Sequence, residues 1–134
     1  MKKMIYPAVF HPEDDGGYVI DFPDLLGCVT EGDTLEEAIA MAEDALGIYL
    51  YTVKENKEPF PTASNPADIK ASGRDFVSLI EYDEAAYLKR TDTRSVKKTL
   101  TIPGWMDTLA KEHNLNFSNL LQNAIRRELN IEHV

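Results

Sequence analysis

An α+β protein in two parts is predicted, and three observations predict it. Residues 1–90 mix strand-like alternation with one long helical stripe. Residues 91–134 hold a short alternating run and then two short amphipathic stretches. Charge divides at the same place: 18 Asp and Glu stand against 8 Lys and Arg in residues 1–90, a net of −10, while 5 stand against 6 in residues 91–134, a net of +1. The expected first domain, 1–90, is a small antiparallel sheet packed on a helix. The expected second, 91–134, is a linker and a strand–helix–helix tail. The overall charge of −9 speaks against nucleic acid only until it is divided, because phosphate attraction depends on the face presented.

The first strand is expected over Ile5–Phe10, with Tyr6, Ala8 and Phe10 on one side. Pro7 lacks a backbone donor, which points to a sheet edge or a strand start. Asp14-Asp15-Gly16-Gly17 is a turn signal and Tyr18–Phe22 follows as a second strand, so the two form a hairpin. Pro23–Gly27 is a loop, and Cys28–Glu31 is a third strand. Thr34-Leu35-Glu36-Glu37 matches a capping box, in which the hydroxyl takes an orphan amide and the carboxylate reaches back. A helix starting at Asp33 or Thr34 then carries the stripe Leu35, Ala38, Ile39, Ala42, Leu46, Tyr49, Leu50 and Val53. Residues 56–74, rich in Pro, Asn, Ser and Gly, form a connection with little regular structure. Asp75–Tyr82 is a fourth strand, largely apolar on both sides and therefore expected at the centre of the sheet. Asp83-Glu84 opens a short helix through Leu88, and Lys89–Ser95 is the linker.

In the tail, Val96–Ile102 alternates. Leu100 and Ile102 point one way; Lys97, Thr99 and Thr101 point the other. Pro103 stops the strand and suits the first turn of a helix, whose apolar side is Trp105, Met106, Leu109 and Ala110. Asn114-Leu115-Asn116 breaks that helix, Asn114 tolerating the left-handed conformation. Asn116 is a good N-cap for the second helix, with Leu120, Leu121, Ala124, Ile125 and Leu129 on its buried side. A lone strand before two short helices has nothing to pair with. Two copies can pair their strands across a two-fold axis and bury one core, for which Leu100, Ile102, Leu109, Leu121 and Ile125 are the candidates.

A two-stranded ribbon of this kind fits the DNA major groove. Lys97, Thr99 and Thr101 then face the bases. The start of the second helix, with the N–H groups of Phe117 and Ser118 and the Asn116 side chain, faces phosphate. Threonine makes single contacts only, and lysine is a flexible point charge. One dimer should therefore bind weakly, and two dimers on adjacent half-sites are expected. The bland alternative is a solvated edge and a dimerising tail that never touches DNA.

Other classes find little support. No run approaches the ~20 apolar residues of a membrane span, and the basic start lacks the apolar run of a secretion signal. Cys28, the only cysteine, cannot close an internal disulfide or build a cysteine zinc site. It reads as a small buried residue in a protein of the reducing cytoplasm. Asp14, Asp15, Asp21 and Asp24 gather around a hairpin, where a solvated turn explains them. His11, His113 and His133 match no nucleophile pattern. No catalytic residue, metal or cofactor is assigned.

The order strand, proline, helix, Asn turn and helix resembles the ribbon-helix-helix repressors, most closely in Lys98-Thr99-Leu100-Thr101-Ile102. Independently, the first part is similar to HicB antitoxins through Gly17-Tyr18-Val19-Ile20-Asp21-Phe22-Pro23-Asp24-Leu25, Gly27-Cys28 and Glu31-Gly32-Asp33-Thr34-Leu35-Glu36-Glu37-Ala38. Asn116-Phe117-Ser118-Asn119-Leu120-Leu121-Gln122 is similar to the tail of HicB proteins of the ribbon-helix-helix subclass. This resemblance implies a truncated RNase H-like domain that binds HicA, a small basic toxin that cleaves mRNA. It also implies an intertwined dimeric tail that binds operator double-stranded DNA. A net of −10 over residues 1–90 suits a basic partner. Two alternatives remain at this point: a stand-alone repressor, and an RNase H-like nuclease. The nuclease needs carboxylates converging on two ions ~4 Å apart, and Ile5–Phe10 carries none.

Overall fold

Ten residues, Lys3–Pro12, form β1, which is longer at both ends than the alternation of 5–10 suggested. The computed structural model describes residues 3–131, so His133 and the extreme ends of both expected domains lie outside the described residues. β2 is Tyr18–Asp21, β3 is Val29–Gly32 and β4 is Phe76–Asp83. All neighbours pair antiparallel in the order β3-β2-β1-β4. The hairpin between β1 and β2 closes through Glu13, whose N–H donates to the Gly17 carbonyl at 2.8 Å. Gly16 sits there at φ +91°, a conformation that favours glycine.

Two expectations about strand position fail. Pro7 lies in an interior strand, opposite Leu79 of β4. It is tolerated because β2 pairs only with Val9–Pro12, so β1 outruns β2 at Pro7 and needs no donor on that side. β4, expected at the centre, is instead an edge strand. Its second apolar side is not buried: Leu79 stays more than half exposed.

Helix α1, Leu35–Glu55, lies across one face of the sheet. Thr34 caps it, its hydroxyl accepting from the Glu37 N–H at 3.1 Å. The Glu37 carboxylate reaches back to the N–H of Asp33, one residue before the cap. Ala38, Ala42, Leu46, Leu50 and Val53 are buried, whereas Leu35 and Ile39, expected on the same stripe, are exposed. The core forms where these residues meet Tyr6, Ala8, Phe10 and Ile20. Each leucine, isoleucine or phenylalanine among them, fully buried, contributes about 1.5–3 kcal/mol. Cys28 is buried as expected.

Two glycines set how closely elements approach. A Cβ on Gly32 would lie 2.5 Å from the Ala38 nitrogen, so β3 touches the first turn of α1 backbone to backbone. A Cβ on Gly47 would lie 2.4 Å from the Tyr87 ring. That ring belongs to α2, Glu84–Thr91, which is held to α1 by Lys54 donating to the buried Glu84 at 2.8 Å. α2 runs past Leu88, the end expected for it, and takes three residues from the expected linker.

The connection between α1 and β4 is docked rather than loose. The Tyr6 hydroxyl donates to the Pro61 carbonyl at 2.6 Å, and Phe60 packs against the core. One 3-10 turn, Pro66–Asp68, is its regular element.

Contacts divide the chain into two units, with the break between Tyr87 and Leu88. The second unit holds α3, Gly104–Glu112, and α4, Phe117–Glu128. Asn114 takes φ +53° between them, as the left-handed turn required. Residues 92–103 carry no regular structure. The strand expected over 96–102 therefore does not form in the single chain, for a physical reason: no second strand lies beside it among the described residues.

The Gly32 contact yields a test. Gly32→Ala should lower the stability of the first unit by about 1–3 kcal/mol, because a rigid backbone cannot yield to the new methyl. Gly104→Ala, with nothing within 4 Å, should leave thermal unfolding unchanged or raise its midpoint slightly.

Candidate nucleic-acid interface

Lys97, Thr99 and Thr101 are all exposed and lie in the stretch without regular structure. In the single chain they form no surface. Leu100 and Ile102, on the alternate positions, behave differently. With Phe117, Leu120 and Leu121 they line an apolar concavity of about 540 Å³ in the second unit, bordered by Lys98, Asp107 and Ser118. The alternation read from the sequence thus separates residues that line a groove from residues that do not.

Among the described residues of the second unit, no side chain fills that groove. Among the proposed dimer-core residues, Leu100 is 64% exposed, Leu109 48% and Ile125 45%; Ile102 and Leu121 are also exposed. Trp105 is 66% exposed. Of the apolar side expected for α3, only Ala110 is buried, and α4 has no buried residue at all. The burial expected for Leu120, Leu121, Ile125 and Leu129 is therefore absent from the single chain.

The start of α4 is capped within the chain. Asn116 is the cap, its Oδ1 accepting from the Asn119 N–H at 3.0 Å. The N–H groups of Phe117 and Ser118 stand at the open end of the helix, where no preceding turn supplies a carbonyl. The Phe117 ring lines the apolar groove. Sequence reasoning had used only its backbone. Ring size and its position beside Leu120 and Leu121 were the available signal.

In the first unit the carboxylates around the hairpin have separate tasks. Asp15 accepts from the Gly17 N–H at 2.9 Å. Asp24 accepts from Ser64, at 2.8 Å from its N–H and 2.5 Å from its hydroxyl. Asp21 lies 2.5 Å from Nε2 of His11, whose Nδ1 lies 2.8 Å from Asp75. Among the described residues no three His, Cys, Asp or Glu converge as a metal site. His11 joins β1, β2 and the approach to β4, a role that sequence reasoning missed because Asp75 is 64 residues away. The Cys28 thiol is pushed up to about 11 by burial, which keeps it unreactive.

Comparison with known proteins adds the following. Residues 6–125 match the HicB-like antitoxins of bacterial toxin–antitoxin systems. The chain is 43% identical to antitoxin HicB 1 of Photorhabdus laumondii subsp. laumondii over 63 residues, 46% of this chain and 41% of that protein. It therefore spans about two-fifths of the length of that curated relative. A chain of a solved toxin–antitoxin complex from Streptococcus pneumoniae is 30% identical, with a TM-score of 0.60 over 95% of this chain and 99% of that one. Antitoxin HicB of Burkholderia pseudomallei shares the fold at 23% identity and a TM-score of 0.53, over 96% and 98% of the two chains. No helix among the described residues is long and apolar enough to cross a membrane.

The histidine bridge has a pH signature. The Asp21 hydrogen bond, aided by Asp75, holds the His11 pKa above its ordinary 6.5. A raised folded value means that the stabilisation is complete below pH 6.5 and is lost as pH rises through the folded value. Imidazole proton NMR should show His11 titrating above 6.5, and Asp21→Asn should lower that midpoint.

Proposed function

The chain belongs to the family of HicB-like antitoxins, and from that membership we propose that it neutralises a HicA-like mRNA-cleaving toxin by direct binding and represses its own operon by binding operator DNA. The observation that carries the second half is the empty apolar groove beside Lys97, Thr99 and Thr101. A second copy fills it by pairing residues 96–102 across a two-fold axis and docking Leu100, Ile102, Leu109, Leu121 and Ile125 against their counterparts. The tail is then an intertwined ribbon-helix-helix dimer. Pairing turns the side chains of Lys97, Thr99 and Thr101 into a continuous row on the outer face of a ribbon that the major groove admits. Asn116, Phe117 and Ser118 fix the ribbon by phosphate contacts at the start of α4.

The first half of the reading draws on charge. The 1–90 domain, read as a truncated RNase H-like fold without a catalytic constellation, carries −10. It repels nucleic acid and attracts a small basic protein. This makes the chain an antitoxin with a partner rather than an enzyme or a stand-alone repressor. A single buried cysteine suits the cytoplasm in which such a partner acts. Weak individual base contacts make two dimers per operator the working assembly.

Band-shift and sedimentation measurements with the protein's own promoter test this. Lys97→Ala with Thr99→Ala should weaken operator binding by roughly 1,000-fold, since each lost contact counts roughly 1 kcal/mol and the two contacts each occur twice per dimer. The dimer itself should persist. Leu121→Glu should dissociate the dimer and abolish the shift together. If the double variant binds its promoter normally, the ribbon does not read the operator.

A further inference from the structure

We infer that the basic partner docks in the groove between the Leu26–Val29 loop and the second half of α1. This rests on the antitoxin reading and gives that reading a place. The groove is an open concavity of about 450 Å³ lined mainly by Val29, Ala45, Ile48, Tyr49, Thr52 and Val53. Around it lie the most exposed large apolar side chains of the first unit: Leu26 at 94%, Val29 at 60% and Ile48 at 59%. Together they make an apolar patch beside a pocket, the arrangement in which one inserted side chain supplies most of an interface's energy.

Leu26 is displayed by a rigid loop. Its neighbour Leu25 is buried in the core unit. The Leu25 N–H donates to the Phe22 carbonyl and the Cys28 N–H to the Leu25 carbonyl, each at 3.0 Å. Gly27 turns the chain at φ +80°, and Asp24 pins the loop to Ser64. A loop backbone held in this way loses little freedom on binding. β3, which supplies Val29, is an edge strand with no strand on its outer side among the described residues. Its free backbone groups are available to an added strand of the partner.

Charge selects the occupant. Glu58 lines the groove, and Glu31 and Glu55 are exposed on the two elements that form it. Lys54, though exposed, is paired with Glu84, and Lys57 is the other cation of this segment. A second copy would bring a net of −10 against a net of −10, and nucleic acid would fare no better. A protein with an apolar anchor ringed by Lys or Arg satisfies both the pocket and its rim.

The test titrates the full-length chain with the HicA-like protein from the adjoining gene, made catalytically inactive, by calorimetry. Leu26→Arg and Ile48→Arg should each weaken binding at least about 30-fold, with circular dichroism and melting unchanged because both positions are exposed. Leu79→Arg, on the opposite edge strand, should stay within about two-fold of the wild type. If the wild type binds and both groove variants bind equally well, the groove is overturned while the antitoxin reading stands. A wild-type chain that does not bind overturns both. Groove variants that change only the chain's self-association would assign the groove to a second copy and overturn the partner inference.

Discussion

The tail cannot remove its own apolar surface from water. Among the described residues, twelve large apolar side chains from Val96 to Leu129 are at least 36% exposed, and Ala110 alone is buried. Helices of nine and twelve residues are too short to stand on local propensity. Stability has to come from packing, which on the proposed reading a second copy supplies. Completing the burial of half-exposed leucines and isoleucines contributes about 1 kcal/mol each. Several such residues in each of two copies are enough to hold a small dimer. The function proposed for the tail inherits this condition. Lys97, Thr99 and Thr101 become a surface only when residues 96–102 have a strand beside them, so recognition and association are one event.

The first unit solves the same problem within the chain, and it does so narrowly. One stripe of α1 reaches the sheet, with alanine at positions 38 and 42 and leucine at 46 and 50. Small residues at the start of the stripe let the helix come down on Gly32, where strand and helix backbones touch. Larger residues further along, Leu46 and Leu50, are fully buried against the core. Nothing remains to cover Ile48 or Val29, and the loop bonds that bury Leu25 leave Leu26 outside. The close approach lies at the start of α1, and the groove lies along its second half.

Much of this was legible in the sequence where local rules decide. The cap at Thr34, the hairpin at Gly16, the left-handed Asn114 and the cap at Asn116 each depend on residues within four positions. Failures came where a distant neighbour decides. β4 is apolar on both sides, yet nothing local says which strands flank it, and the edge position left Leu79 in water. Pro7 sits inside the sheet because β2 is short, a fact about β2 and not about Pro7. The His11 bridge needed Asp75, brought close only by the sheet register. The stretch 96–102 shows the same limit from the other side: its alternation is plain, but among the described residues no strand lies beside it, and on the proposed reading its partner belongs to another copy.

The division of charge links the two units. A ribbon that offers one lysine and two threonines per copy has little electrostatic attraction to DNA, and a net of +1 over the tail adds little more. An attached domain at −10 opposes that attraction over distances of about a Debye length, ~8 Å at physiological salt. On the proposed reading, a basic protein seated on the acidic unit cancels part of that field without touching the operator. The free chain is then the weaker DNA binder and the occupied chain the stronger. On that reading, the acidity that would repel nucleic acid from the first unit makes the tail's affinity depend on whether the partner is present.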